Sequence, residues 1–193
     1  MNAAKKDIIP VIPSKEIIVG DPAAKIKLVM FGDYESEETG QATEVIKQLL
    51  EEYTGKVNFV FRHFPLTKVH QKAHKAAEAA IGAGQEEKFW EMHQLLFAHR
   101  RNLGVISLKS YAREVGVKDK RFLDHLINSD WGVHVQDDLK EGLELGIKEI
   151  PVLFINGEWF EKDITLKNTK AIIDGLLKAD ASSVIKLKSK KRA

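Results

Sequence analysis

Residues 25–31, Lys-Ile-Lys-Leu-Val-Met-Phe, alternate and then turn wholly apolar, as a strand does on entering the middle of a sheet. The run stops at Gly32-Asp33, and Ala42, Val45, Ile46, Leu49 and Leu50 then recur at helical spacing. That pattern predicts a helix to about Tyr53, closed by Thr54-Gly55. Val57-Asn58-Phe59-Val60-Phe61-Arg62-His63-Phe64 alternates with period two and ends before Pro65, so it reads as the next strand. Strand, helix and strand on short connections make a βαβ unit, whose two strands must be parallel. This unit constrains the rest of the chain.

Upstream, residues 1–14 read as an extended lead-in, and 15–19 as a short β-like run before the Gly20-Asp21-Pro22 turn. From 68 to about 133 only helical patterns follow. One stripe runs from Val69 through Ile81, a denser one from Phe89 to Phe97, and two short ones centre on Leu108 and Leu126. A helix is expected over about 133–145, ending at Gly146. Residues 150–160 read as two strands joined at Asn156-Gly157, the strongest short-range hairpin signal. A last helix is expected over 166–177. Pro151 opens the first hairpin strand, where either a trans or a cis bond is compatible with the local sequence. The expected fold class is therefore α/β, with 15–66 and 134–178 forming the sheet-bearing unit. Residues 67–133 form an inserted helical subdomain, and 179–193 a basic tail.

With 193 residues, of which 44% are hydrophobic and 30% charged, the chain can form one domain with a sizeable core. It holds no cysteine, which removes disulfides, thiolate metal sites and thiol catalysis. No apolar run approaches the ~20 residues needed to span a bilayer, and two prolines break the short apolar patch near the N-terminus. The expectation is a cytoplasmic protein. Five of the last eight residues are basic; removing them from a formal charge of +2 leaves the body at −3. A tail of this kind without interleaved aromatics is a solvated end rather than a nucleic-acid site.

The strand-to-helix turn carries Asp33-Tyr34-Glu35-Ser36-Glu37-Glu38-Thr39. Unpaired N–H groups at a helix start favour anions, so this turn is the first place to look for chemistry. Ser36 also fits an N-cap, with Glu37 and Glu38 in the first turn where the dipole favours carboxylates. Asp33, Glu35, Glu37 and Glu38 together read as a solvent-facing carboxylate cluster. His70 and His74 stand four apart, a spacing able to hold a metal, but without a third ligand they read as ordinary histidines. His93 is expected to pack with Trp90 and Phe97, and Trp159 and Phe160 to be core aromatics of the hairpin.

Several segments, in order, resemble the DsbA-like branch of the thioredoxin fold. They are Phe31-Gly32-Asp33-Tyr34-Glu35, Phe61-Arg62-His63-Phe64-Pro65-Leu66, Ala76-Ala77-Glu78-Ala79-Ala80, Lys88-Phe89-Trp90-Glu91-Met92-His93 and Pro151-Val152-Leu153-Phe154-Ile155-Asn156-Gly157. The resemblance covers about residues 15 to 178. It implies a cis bond at Pro151 and a ligand groove formed by Tyr34, Ser36, Glu37, Glu38, Thr39, Ile150 and Pro151. In that family the turn holds a Cys-Pro-Tyr-Cys redox centre; here Ser36 and Thr39 occupy the cysteine positions and Glu37-Glu38 replace Pro-Tyr. A hydroxyl cannot take part in thiol–disulfide exchange, so the redox activity does not carry over.

Two functions follow as expectations. One is a non-redox module, without cofactor, that binds a peptide or protein partner. The other borrows from kappa-class glutathione transferases and hydroxychromene-carboxylate isomerases, which resemble this architecture. They place a serine at the first-cysteine position, so Ser36 would orient the thiolate of bound glutathione.

Overall fold

The structure, a computed structural model, describes residues 11–190, with side chains to residue 179. Strand β2 (Ile26–Gly32) is the centre of a five-stranded sheet ordered β1-β3-β2-β4-β5. It pairs in parallel with β3 (Val57–His63) and antiparallel with β4 (Val152–Ile155). Helix α1 (Glu37–Glu52) makes the crossover between β2 and β3, completing the βαβ unit that the hydrophobic pattern predicts. Edge strands β1 (Val19–Gly20) and β5 (Glu158–Trp159) flank β3 and β4.

Alternation along the strands splits the apolar residues between two faces. Leu28, Met30, Phe59, Phe61, Leu153 and Ile155 enter the larger core, together with Ile46 and Leu49 of α1. Phe31, Val152 and Phe154 point the other way and form a second cluster with Phe64 and Ile147. Helices α2 (Ala73–Gly84), α3 (Phe89–Ala98), α4 (Val105–Glu114) and α5 (Phe122–Ile127) follow β3 with no strand among them. Helix α6 (Gly132–Glu144) returns the chain to the sheet, and α7 (Leu166–Lys190) packs along α1. None of the helices among the described residues is long and apolar enough to cross a membrane.

A buried ion pair ties α6 to β3. Asp138 accepts the Arg62 Nε–H at 2.7 Å and the His63 amide at 2.9 Å, and also receives the Ser14 hydroxyl. Glu141 receives both terminal nitrogens of Arg62, at 3.0 and 2.6 Å. The guanidinium lies 5.3 Å from the centroid of Phe31.

Four local expectations change. Of the β-like run at 15–19 only Val19 enters a strand, while Lys15 and Glu16 belong to a 3-10 turn (Ser14–Glu16), because Ser14 is drawn inward to Asp138 and its carbonyl accepts the Ile17 amide. The helix expected from Lys68 begins at Ala73: residues 67–72 form turns, and Val69 is 72% exposed rather than part of an apolar stripe. The last helix runs beyond 177 to Lys190; its side chains from residue 180, and all of 191–193, lie outside the described residues, as do residues 1–10 of the lead-in. Of the two hairpin aromatics, Phe160 is buried, but Trp159 lies on the edge strand, 42% exposed, and meets Phe154 edge-on. The hairpin turn itself is as expected, with Asn156 at φ 52° and Gly157 at φ 85°, the left-handed pair of a type I′ turn. Asn156 also binds back to β2, exchanging hydrogen bonds with the Lys27 backbone at 2.7 and 2.8 Å.

Asp138 is the side chain on which the α6–sheet contact rests. Asp138→Ala leaves Arg62 buried with only part of its charge met and orphans the His63 amide. Urea denaturation should show a loss of about 3 kcal/mol or more; a change within ~0.5 kcal/mol would show that Glu141 alone holds the guanidinium.

Candidate functional site

The turn from β2 into α1 is held from beneath by Asp33. This carboxylate is only 2% exposed, so it does not belong to a solvent-facing cluster. Its Oδ1 accepts the amides of Glu35 and Ser36 at 3.0 and 2.8 Å. Its Oδ2 accepts the Leu66 amide at 3.1 Å and meets His70 Nδ1 at 2.7 Å. Other carboxylates of the turn also reach across to the helical half of the molecule. Glu35 Oε2 accepts the Lys72 amide at 2.6 Å, and Glu37 is ion-paired with Arg100 at the end of α3. Three acidic side chains thus act as struts.

Ser36 is the N-cap of α1. Its Oγ accepts the Thr39 amide at 3.0 Å and its hydroxyl donates to Glu38 Oε2 at 3.2 Å. The side chain of Glu38 is in turn held below the usual carboxylate range, first by its own backbone N–H at the helix start and then by the Ser36 hydroxyl. Ser36 is 3% exposed and its single proton is already given away. Thr39, one turn into the helix, is fully buried. Its Cγ2 lies so close over the backbone of Gly32 that a Cβ there would collide with it. The two hydroxyl residues at the former cysteine positions therefore cap and pack.

Pro151 follows a cis peptide bond, and the pairing of Phe31 with Val152 sets it beside Gly32, at the sheet end from which the turn departs. Ile150 and Pro151 are half-buried. Exposed Glu37 and Glu38, with these two residues, give the expected groove its accessible part. Tyr34, grouped with them from the sequence, is instead fully buried. Its hydroxyl meets His93 Nδ1 at 3.0 Å, and its ring packs against Phe61, His63 and Phe97. Burial raises the Tyr34 phenol well above its ordinary range, with the Asp138 charge adding to the effect.

The histidines do not gather. His70 precedes α2 and binds Asp33, whereas His74 lies within α2 and faces Glu78 at 3.1 Å and Gln136 at 3.0 Å. The i,i+4 relation that a metal pair needs is lost because the helix starts after His70. His93 packs with Trp90 and Phe97 as expected. Sequence reasoning treats His63 as an ordinary solvated or core-edge histidine; it is instead buried, and its two ring nitrogens have no partner among the described residues. Desolvation pulls the folded-state pKa of His63 down to about 4 and that of His93 to about 3. Asp33 was also undervalued, although Asp three residues before a Ser cap is a recognisable turn signal.

A family model described as Thioredoxin matches residues 13–175. The chain is 37% identical over 151 residues to the Na+/H+ antiporter NhaA 1 of Salinispora arenicola, covering 78% of this chain and 23% of that protein. A Na+/H+ antiporter NhaA 1 of Mycobacterium is 34% identical over 151 residues, with 25% of it covered. The chain thus spans about a quarter of the curated relatives it matches. Among solved structures, oxidised BdbD of Bacillus subtilis superposes with a TM-score of 0.76 at 19% identity, over 83% of this chain and 92% of that one. The thiol-disulfide exchange protein α-DsbA2 of Wolbachia pipientis gives 0.71 at 22% identity, over 82% and 86%. These structural likenesses establish the DsbA-like fold.

The buried histidines set an acid limit on stability. Each stays neutral in the folded state, while the unfolded chain takes up a proton below its ordinary pKa of 6.5. Their stability is therefore intact above about pH 6.5 and is lost as the pH falls toward the folded values, at about 1.4 kcal/mol per pH unit per group. His63→Leu removes one of these groups. Its melting temperature should fall less steeply than wild type between about pH 6 and 4.5; parallel curves would exclude His63 as a source of the acid sensitivity.

Proposed function

The chain belongs to the thioredoxin family, and we propose that it is a non-redox, protein-binding member on the DsbA-like scaffold. In this reading it holds an extended peptide along Ile150 and Pro151 beside the Ser36 turn. The observation that carries it is the internal commitment of the turn: Asp33, Glu35 and Glu37 are bonded to other parts of the molecule, and Ser36 is committed to Thr39 and Glu38 within the turn. No thiol is present to exchange, and the two hydroxyls of the turn, on Ser36 and Thr39, are buried. An extended segment can still be recognised there through backbone pairing, with exposed Glu37 and Glu38 favouring cationic side chains.

The glutathione-transferase reading has less support. It needs the Ser36 hydroxyl as a donor to a thiolate, and that proton goes to Glu38, whose negative charge opposes a second anion. The antiporter relatives support a class of partner for a module of this kind, namely a membrane transporter adjoining it. A purified Na+/H+ antiporter whose transport rate does not respond to the added module would remove that support.

Titration of the 15N-labelled chain with two probes separates the readings. A reduced and alkylated unstructured polypeptide should shift the amides of residues 33–39, 150 and 152. Saturating glutathione should leave both these amides and the melting temperature unchanged. A melting temperature raised by glutathione would favour the transferase reading, and peptide shifts confined to other surfaces would remove the proposed groove.

A further inference from the structure

A groove of about 1010 Å³ runs along the far side of α1, between it and α3. It follows the whole of α1 from Glu37 to Glu52, a length of about 24 Å at helical rise, and ends at Gly55. Its floor is apolar and aromatic, made by Val57 and Phe59 of β3 with Trp90 and Phe97 of α3. Its rim is acidic: Asp21, Glu37, Glu44 and Glu51 stand there against Lys47 and Arg100, and Arg100 is already paired with Glu37. The lining includes neither Ser36 nor Pro151 and meets the peptide groove proposed above only at Glu37.

An apolar floor under an acidic rim is complementary to a short segment that is both apolar and strongly basic. Residues 184–192 of this chain have that composition: Val-Ile-Lys-Leu-Lys-Ser-Lys-Lys-Arg, three aliphatic side chains among five cations. The body it would meet carries a formal charge of −3, five less than the +2 of the whole chain.

The backbone tells which copy supplies the segment. Helix α7 is anchored near the end of α1, where Tyr53 donates to Asp174 at 2.7 Å and Lys170 pairs with Glu52. From that anchor it continues unbroken to Lys190, and none of its described residues lines the groove. A helix that continues past its anchor without a described residue in its own groove is taken to present the segment to a neighbour's.

We propose that the α1–α3 groove receives the 184–192 segment of a second copy of the chain. The exchange is reciprocal, so two copies related by a two-fold axis each fill the other's groove and the pairing closes. Opposite charge sets the register and steers the encounter, and the aliphatic side chains supply the buried contact.

Charge reversal in the full chain tests this. Glu44 and Glu51 are exposed on α1, so the Glu44→Lys/Glu51→Lys variant should keep the wild-type melting temperature. The tail counterpart is Lys186→Glu/Lys188→Glu. Sedimentation velocity should show a wild-type dimer that weakens at least tenfold between about 20 mM and about 500 mM salt. Each variant alone should be at least tenfold weaker than wild type. An equimolar mixture should dimerise more tightly than either variant alone, because in the heterodimer the unaltered groove meets the unaltered tail while the reversed positions 44 and 51 meet the reversed positions 186 and 188. A wild-type chain that stays monomeric up to high concentration overturns the proposal, even if a synthetic 184–192 peptide binds it, since the segment would then lie in its own groove or meet another partner. A dimer indifferent to both variants overturns it equally.

Discussion

The Asp33 carboxylate is the point on which the site depends. It is buried, it accepts hydrogen bonds on both oxygens, and its partners come from two distant parts of the chain. One oxygen shapes the turn that starts α1, and the other reaches Leu66 and His70 after β3. Removing one partner from a buried carboxylate costs more than the bond gains, so the arrangement persists as a set. Glu35 and Glu37 repeat the design on a smaller scale by bonding to Lys72 and Arg100. In a scaffold whose structural relatives include thiol–disulfide exchange proteins, this turn is a joint between two halves of the molecule.

The hydroxyl residues follow the same economy. Ser36 accepts one amide and donates to one carboxylate, and Thr39 fills the space above Gly32. Such a site stabilises a helix N-terminus and leaves little for a ligand thiolate. What remains exposed for recognition is Glu37 and Glu38 at the edge of the turn, the half-buried loop at Ile150 and Pro151, and the groove along the other side of α1.

Much of the fold was legible in the sequence because it rests on periodicity. The apolar run at 26–31, the spacing of Ala42, Ile46 and Leu49, and the Asn156-Gly157 turn each have one good structural reading. The misreadings share a cause, namely tertiary contacts that override local pattern. Ser14 is turned inward by Asp138, 124 positions away, so the start of a strand-like run becomes a 3-10 turn. His70 is held by Asp33 before the helix begins, so a spacing that suggested a metal pair joins two unrelated sites. The Ser36 cap could be read from residue types alone, since a cap is a local device. The burial of Tyr34 and the α1–α3 groove depend on where helices 40 or more residues apart come to rest, and no local pattern records that.

Amide hydrogen exchange at the turn tests the central claim most directly. If the turn is a closed cap, the amides of Ser36, Thr39 and Leu66 should exchange about as slowly as those inside α1, with or without saturating glutathione. Exchange of Thr39 at the rate of an open loop would mean that the cap is not closed. Slowing of that exchange on adding glutathione would mean that the turn holds a ligand after all.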